Sequence, residues 1–180
     1  MQRNKGAGFS LIELLVAIAI VAILLAVAFP SFEDSMRRNR LATTTNELLG
    51  SVSLARSEAI RNTRGGGICA SEDGLTCGDD WNKGWLVWSD GEAGTRGSFD
   101  AAQDAIVRVV DAHPRMVLAA VDGAGGAVNE IGFDYRGRPM NGAAADFNLQ
   151  PDTCPEGQEM ARSLKINASG QMVNHREVCP

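Results

Sequence analysis

Several signatures that would announce chemistry are missing from this 180-residue chain. It has no G-x-S-x-G elbow, no H-E-x-x-H pair and no phosphate-binding P-loop, so hydrolase, metalloprotease and nucleotidase chemistry have no foothold. There is no C-x-x-C pair, which argues against a zinc site. The acidic turns Glu72-Asp73-Gly74 and Asp90-Gly91-Glu92 lack a full alternating set of oxygen donors, so they read as solvated turns rather than calcium loops. Basic charge is also short: 17 Lys and Arg stand against 22 Asp and Glu. A phosphate-reading protein would have to gather its positive charge locally. No internal repeat occurs, and Gly65-Gly66-Gly67 is the one low-complexity stretch. We therefore expect a non-enzyme without a cofactor.

What is present is concentrated at one end. Every residue from Leu14 to Phe29 is Ala, Val, Ile, Leu or Phe. Extended back to Phe9, the run admits only Ser10 and Glu13 as polar residues. As a helix it would be about 31 Å long, close to the roughly 30 Å of a bilayer core. A cleaved secretory signal would place its small residues after the apolar stretch. Here Gly6-Ala7-Gly8 precede it and Pro30-Ser31-Phe32 follow. Arg3 and Lys5 lie before the run and Glu33 and Asp34 after it, which orients the N-terminus inward and the bulk of the chain outward. Four cysteines fit that outward, oxidising side.

Beyond the run, Pro30 should bend the helix without ending it. Phe32, Met36, Leu48, Leu49, Val52, Ala55 and Ile60 recur at roughly helical spacing, and the glycine triplet ends the pattern near Asn62 to Arg64. One helix from Phe9 to about Thr63 would be about 80 Å long. The period then falls to about two. Strands are expected near 67–70, 85–89, 105–111, 116–121, 130–135, 145–149, 163–167 and 171–175, separated by Gly- and Asp-rich turns. One long helix followed by a run of strands predicts an α+β fold, the helix packed on antiparallel sheet. Trp85 should lie in the core, because Trp85-Leu86-Val87-Trp88 is apolar on both faces of a strand. Trp81, in a polar stretch, is open between core and partner contact.

The segment Lys5-Gly6-Ala7-Gly8-Phe9-Ser10-Leu11-Ile12-Glu13 resembles the leader of the type IV pilin superfamily. That family has a short basic leader ending in Gly, then Phe or Met, then an apolar helix with Glu five residues past the cut. The resemblance implies residues 1–8 as leader, 9–30 as membrane-spanning and filament-core helix, and 31–180 as periplasmic domain, helical to about 63 and then β-rich. It also implies that a prepilin peptidase cuts between Gly8 and Phe9 and methylates the new amine. An ionisable side chain inside a bilayer costs about 2.5–3.5 kcal/mol and marks a functional position. Glu13 is therefore expected to pair with the N-terminal amine of a neighbouring subunit during filament assembly.

Leu54 to Arg61, the Trp81–Asp90 segment, Ile131-Gly132-Phe133 and Gly137-Arg138-Pro139 together resemble the GspH/FimT-like branch of that superfamily. This branch implies one of three roles. The first is a minor pilin that helps initiate a type IV pilus and stays near its tip, partnered by other minor pilins and the major pilin. The second is the H-type pseudopilin of a type II secretion system, and the third is a DNA-binding minor pilin. The DNA-binding relatives carry G-R-x-R near the C-terminus. Gly170-Gln171-Met172-Val173 lacks both arginines, so nucleic acid is not the expected partner, with Arg136, Arg138 and Arg176 the positions to test. Four cysteines allow three pairings. We expect Cys69–Cys77 and Cys154–Cys179, contributing about 2.5 and 3.5 kcal/mol on the loop-entropy model. Two disulfides suit a subunit exposed outside the cell and favour the FimU-like pilus members of the branch.

Overall fold

A computed structural model describes residues 10–140 and 145–180. Helix α1 runs Leu11–Asn62 and takes Pro30 in its stride. The chain divides into two compact units, 1–39 and 40–180. In the second unit the buried apolar positions of α1 are Leu41, Leu48, Val52, Ala55 and Ala59, a stripe at intervals of three, four and seven residues. Ile60, expected on that stripe, lies one residue round from Ala59 and is exposed. Phe32 and Met36 are also exposed, and both precede Arg40, where the second unit begins.

Eight strands follow: β1 Gly66–Ala70, β2 Gly84–Ser89, β3 Ala105–Asp111, β4 Met116–Val121, β5 Glu130–Phe133, β6 Asp146–Pro151, β7 Ala161–Ile166 and β8 Met172–Glu177. β3 and β4 fall on their expected bounds, and the ends of the other six move by at most two residues. β5 is the clearest example. It stops at Phe133 because Asp134 opens a turn, its N–H donating to the Arg138 carbonyl at 2.9 Å and its own carbonyl accepting from Gly137 at 2.7 Å.

The strands form two antiparallel sheets, ordered β3-β2-β1-β5 and β4-β6-β7-β8. One core joins them to the helix. Leu48, Val52 and Ala55 of α1 belong to the same buried cluster as Ile68, Trp85 and Val87 of the first sheet and Phe147, Leu149 and Leu164 of the second. Burying large side chains of this kind contributes about 1.5–3 kcal/mol each. The stripe also carries polar residues that hydropathy alone would place outside. Thr45 is buried and returns its hydroxyl to the Leu41 carbonyl at 2.6 Å. Ser51 is buried and accepts the indole N–H of Trp85 at 3.0 Å.

Trp81 belongs to the core and not to a partner-facing loop. It begins a short 3-10 turn, Trp81–Lys83, and is only 3% exposed. Its indole N–H donates to the Val128 carbonyl at 2.8 Å, and its ring meets Phe147 edge-on with centroids 4.9 Å apart. Asn82 beside it accepts the Leu118 amide at 2.8 Å, linking this turn to the second sheet. The glycine triplet also does more than stop the helix: a Cβ at Gly67 would sit 2.4 Å from the Trp88 ring, so that ring lies directly on bare backbone.

Candidate assembly site

Gly8 and Phe9, the expected processing point, lie outside the described residues. The described helix starts two residues later, with Leu14 donating its N–H to the Ser10 carbonyl at 3.1 Å. Glu13 occupies the first turn and is exposed. A carboxylate is stabilised there by the unsatisfied N–H groups of the helix start. Leu11 is 76% exposed, and Ile12, Leu14, Val16, Ile18, Val21 and Leu25 are all exposed as well. At 100° per residue these side chains surround the helix. A helix apolar on every side is ordinarily buried, in a large core or a membrane. Nothing described in this chain covers it.

Among the described residues no helix is long and apolar enough to cross a membrane. The expected span counted from Phe9, outside the described residues, and the described part carries Glu13 near its start. Its other end is charged, with Arg37 within 3.6 Å of Glu33 and 3.5 Å of Asp34.

The cysteines pair Cys69–Cys77 and Cys154–Cys179. The first closes a loop organised by Asp73, whose carboxylate accepts the N–H groups of Leu75 and Thr76, each at 2.8 Å, and the Thr76 hydroxyl at 2.8 Å. These donors hold its pKa down at about 2. Asp90 is buried and takes the Trp88 indole at 3.1 Å and the Gly97 amide at 3.0 Å. Burial nevertheless pushes its carboxyl above the ordinary range, outweighing those two donors. Asp73 and Asp90 are thus occupied by the chain's own donors, and Asp90 is buried, not solvated as expected of its turn. No group of residues suited to a metal ion occurs among those described.

The three arginines singled out for nucleic acid are not brought together. Arg136 and Arg138 sit in the turn after β5, and Arg138 is neutralised by Asp134, which accepts its guanidinium at 2.8 and 3.0 Å. Burial works to raise the Asp134 pKa, but the Arg138 amide and guanidinium and the Arg136 amide hold it low. The Arg136 guanidinium lies 5.1 Å from the Tyr135 ring centre. The same turn meets the one before β8. Arg56 of α1 donates to the Gly137 carbonyl at 3.0 Å, and a Cβ at Gly170 would fall 2.0 Å from that oxygen. Both glycines have positive φ, 72° and 77°, so the junction needs residues free to adopt it. Arg176 lies four positions further along β8 than Met172, about 13 Å on at strand spacing, where it is exposed opposite Arg162.

Sequence reasoning missed one pair. His113 lies 2.7 Å from Glu47 of α1, without hydrogen-bond alignment, and 5.5 Å from the Trp85 ring. Nothing in the local pattern links residues so far apart.

An N-terminal helix ahead of two disulfide-tied antiparallel sheets is the architecture of a type IV pilin-like subunit. Residues 3–29 match the prokaryotic N-terminal methylation motif, and residues 44–170 match the family described as type II transport protein GspH. The chain belongs to that GspH family, in the GspH/FimT-like branch of the type IV pilins. Two crystal forms of the type IV minor pilin FimU from Pseudomonas aeruginosa share its fold, with TM-scores of 0.54 and 0.52, each at 24% identity. They cover 79% and 74% of this chain and 90% and 91% of theirs. The type IV major alpha-pilin of Moraxella bovis is 40% identical over 45 residues, or 25% of this chain and 28% of that protein.

Proposed function

We propose that this chain is a minor pilin that helps initiate a type IV pilus and remains near its tip. Made as a precursor, it is cut between Gly8 and Phe9 by a prepilin peptidase and methylated at Phe9. Until assembly it is held in the inner membrane by residues 9–30, its remaining domain in the periplasm. The observation that carries the reading is the exposed apolar surface around the start of α1, interrupted by one carboxylate at Glu13. Such a surface needs lipid or other helices around it, and a charge placed in it is best met by an opposite charge. In a filament the next subunit supplies the helix, and its methylated N-terminal amine supplies the cation.

The experiment is deletion and complementation, with intact-mass analysis of the recovered protein. Methylated Phe9 at the N-terminus, and surface pili lost on deletion and restored by the gene, are the expected results. An uncleaved chain as the major species, or normal piliation in the deletion strain, overturns the reading. The matching family's own description favours a second possibility, an H-type pseudopilin of a type II secretion system. Loss of protein secretion with pili intact would select it. Duplex DNA is not expected to bind the full-length protein in detergent at about 150 mM salt, because several phosphate contacts from one patch are required. Salt-sensitive binding at that concentration, abolished by replacing Arg136, Arg138 or Arg176, would move the choice to a DNA receptor.

A further inference from the structure

The first sheet has an open edge at β3, its longest strand. β3 pairs with β2 alone, and the register slips between Val87 and Trp88, leaving Val107 without a direct partner. No hydrogen bond from another described segment reaches the far side of β3. Edge strands are usually protected by charge, proline or brevity. This one is irregular at the Val87/Trp88 slip and carries one inward charge, Arg108, yet its outward side chains are apolar: Ile106 is 37% exposed, Val107 39% and Val109 47%. The Cys69–Cys77 loop enlarges the patch. Its Gly74 abuts Val109, since a Cβ there would lie 2.8 Å from a Val109 methyl, and its Leu75 is exposed.

Charge adds a second demand. Arg108 is half-buried on the helix-facing side of β3, beside Gly50, and meets no carboxylate among the described residues. A partly desolvated guanidinium is best satisfied by an anion. The edge thus calls for backbone donors and acceptors, apolar side chains on one face and an acid on the other. An extended chain with period-two alternation supplies all three.

We propose that the free edge of β3 receives an extended segment of another polypeptide as a fifth strand of the first sheet, with an acidic side chain of that segment beside Arg108. The assignment holds whichever filament the subunit enters.

The test uses the full-length protein in detergent micelles and a fluorescein-labelled peptide, Thr-Val-Glu-Val-Thr-Val with blocked ends. Three controls accompany it: the same peptide with Lys for Glu, one N-methylated on alternate backbone nitrogens, and an Arg108→Ala protein whose circular dichroism matches the parent. The Glu peptide should bind with a Kd of about 0.1–1 mM and slow amide hydrogen exchange across Ile106–Val110. It should bind up to about fivefold tighter than the Lys peptide, a preference that Arg108→Ala removes. The N-methylated peptide should not bind. The proposal is overturned if β3 exchange is unchanged at about 2 mM peptide, or if the N-methylated peptide binds equally well. It is also overturned if the β3 amides are already protected without peptide in a concentration-dependent way, which would assign the edge to a second copy.

Discussion

Two stretches of α1 differ in composition and in surroundings. Among the described side chains between Leu11 and Phe29 the large apolar ones are exposed, whereas Leu41, Leu48 and Val52 are buried against two sheets. The later stretch is amphipathic and finds its partners within the chain. The earlier one is apolar on all sides, which no single sheet can satisfy. Whether a helix is finished when the chain has folded is therefore set by how many polar residues it carries and on which side they fall.

The sharpest way to break that comparison is Glu13→Ala. Glu13 is exposed in the first turn, far from the packed core in sequence, so its loss should leave the second unit's stability unchanged. Membrane insertion should survive, because the segment becomes more apolar. Incorporation into the filament should fall severely, since the proposed charge pair is gone. Quantifying the subunit in sheared pili against its level in membranes reads this directly. Normal incorporation at normal subunit level would remove the role assigned to this carboxylate.

The second unit answers to different substitutions. Replacing Cys154 and Cys179 by serine opens a separation of 25 residues and should cost about 3.5 kcal/mol by loop entropy. Replacing Cys69 and Cys77 opens one of 8 residues and should cost about 2.5 kcal/mol. Denaturant titration of each double variant checks the order. Neither change should alter how the first stretch of α1 enters a membrane. If both did, the two stretches would not be independent.

Much of this was legible in the sequence, and what was not has physical causes. Strand positions followed from period-two alternation bounded by Gly and Asp turns, and the helix end from the glycine triplet. The division into two sheets was not legible, because pairing is non-local: β4 follows β3 directly yet lies in the other sheet. Trp81 was ambiguous because its neighbours are polar, although its N–H and ring are satisfied by Val128 and Phe147, 47 and 66 residues on. The candidate assembly site was legible as a motif through Glu13, but the open β3 edge was not, since an edge exists only once the strand order is known.

Ser51→Ala probes the packed stretch with a smaller effect and a built-in opposition of terms. Alanine is the better helix former, by up to about 0.5 kcal/mol. The substitution, however, strands the buried Trp85 N–H, which Ser51 accepts at 3.0 Å. An unsatisfied buried donor costs about 1–3 kcal/mol, so the net change should be destabilising by about 1–2 kcal/mol. A neutral or stabilising result in chemical denaturation would show that the polar residues of this stripe are tolerated rather than used.

The smallest expected effect is a pH dependence confined to the Cys69–Cys77 loop. Asp73 has its pKa lowered from 3.8 to about 2 by the amides of Leu75 and Thr76. A carboxylate depressed on folding contributes stability that is present above its unfolded value and is lost as pH falls towards its folded one. The loop should therefore loosen between about pH 4 and pH 2, and Asp73→Asn should flatten that dependence while changing little at pH 7. Global unfolding is a poor readout, because Asp90 acts with the opposite sign. Burial raises its pKa, so its contribution is greatest at acid pH and is lost as pH rises through the raised value. The two partly cancel in any whole-domain acid titration. Hydrogen exchange at the Leu75 and Thr76 amides avoids that cancellation, since both donate to Asp73 and neither contacts Asp90. Exchange that stays constant from pH 4 to pH 2, once corrected for intrinsic rates, would mean that the disulfide holds the loop without help from the carboxylate.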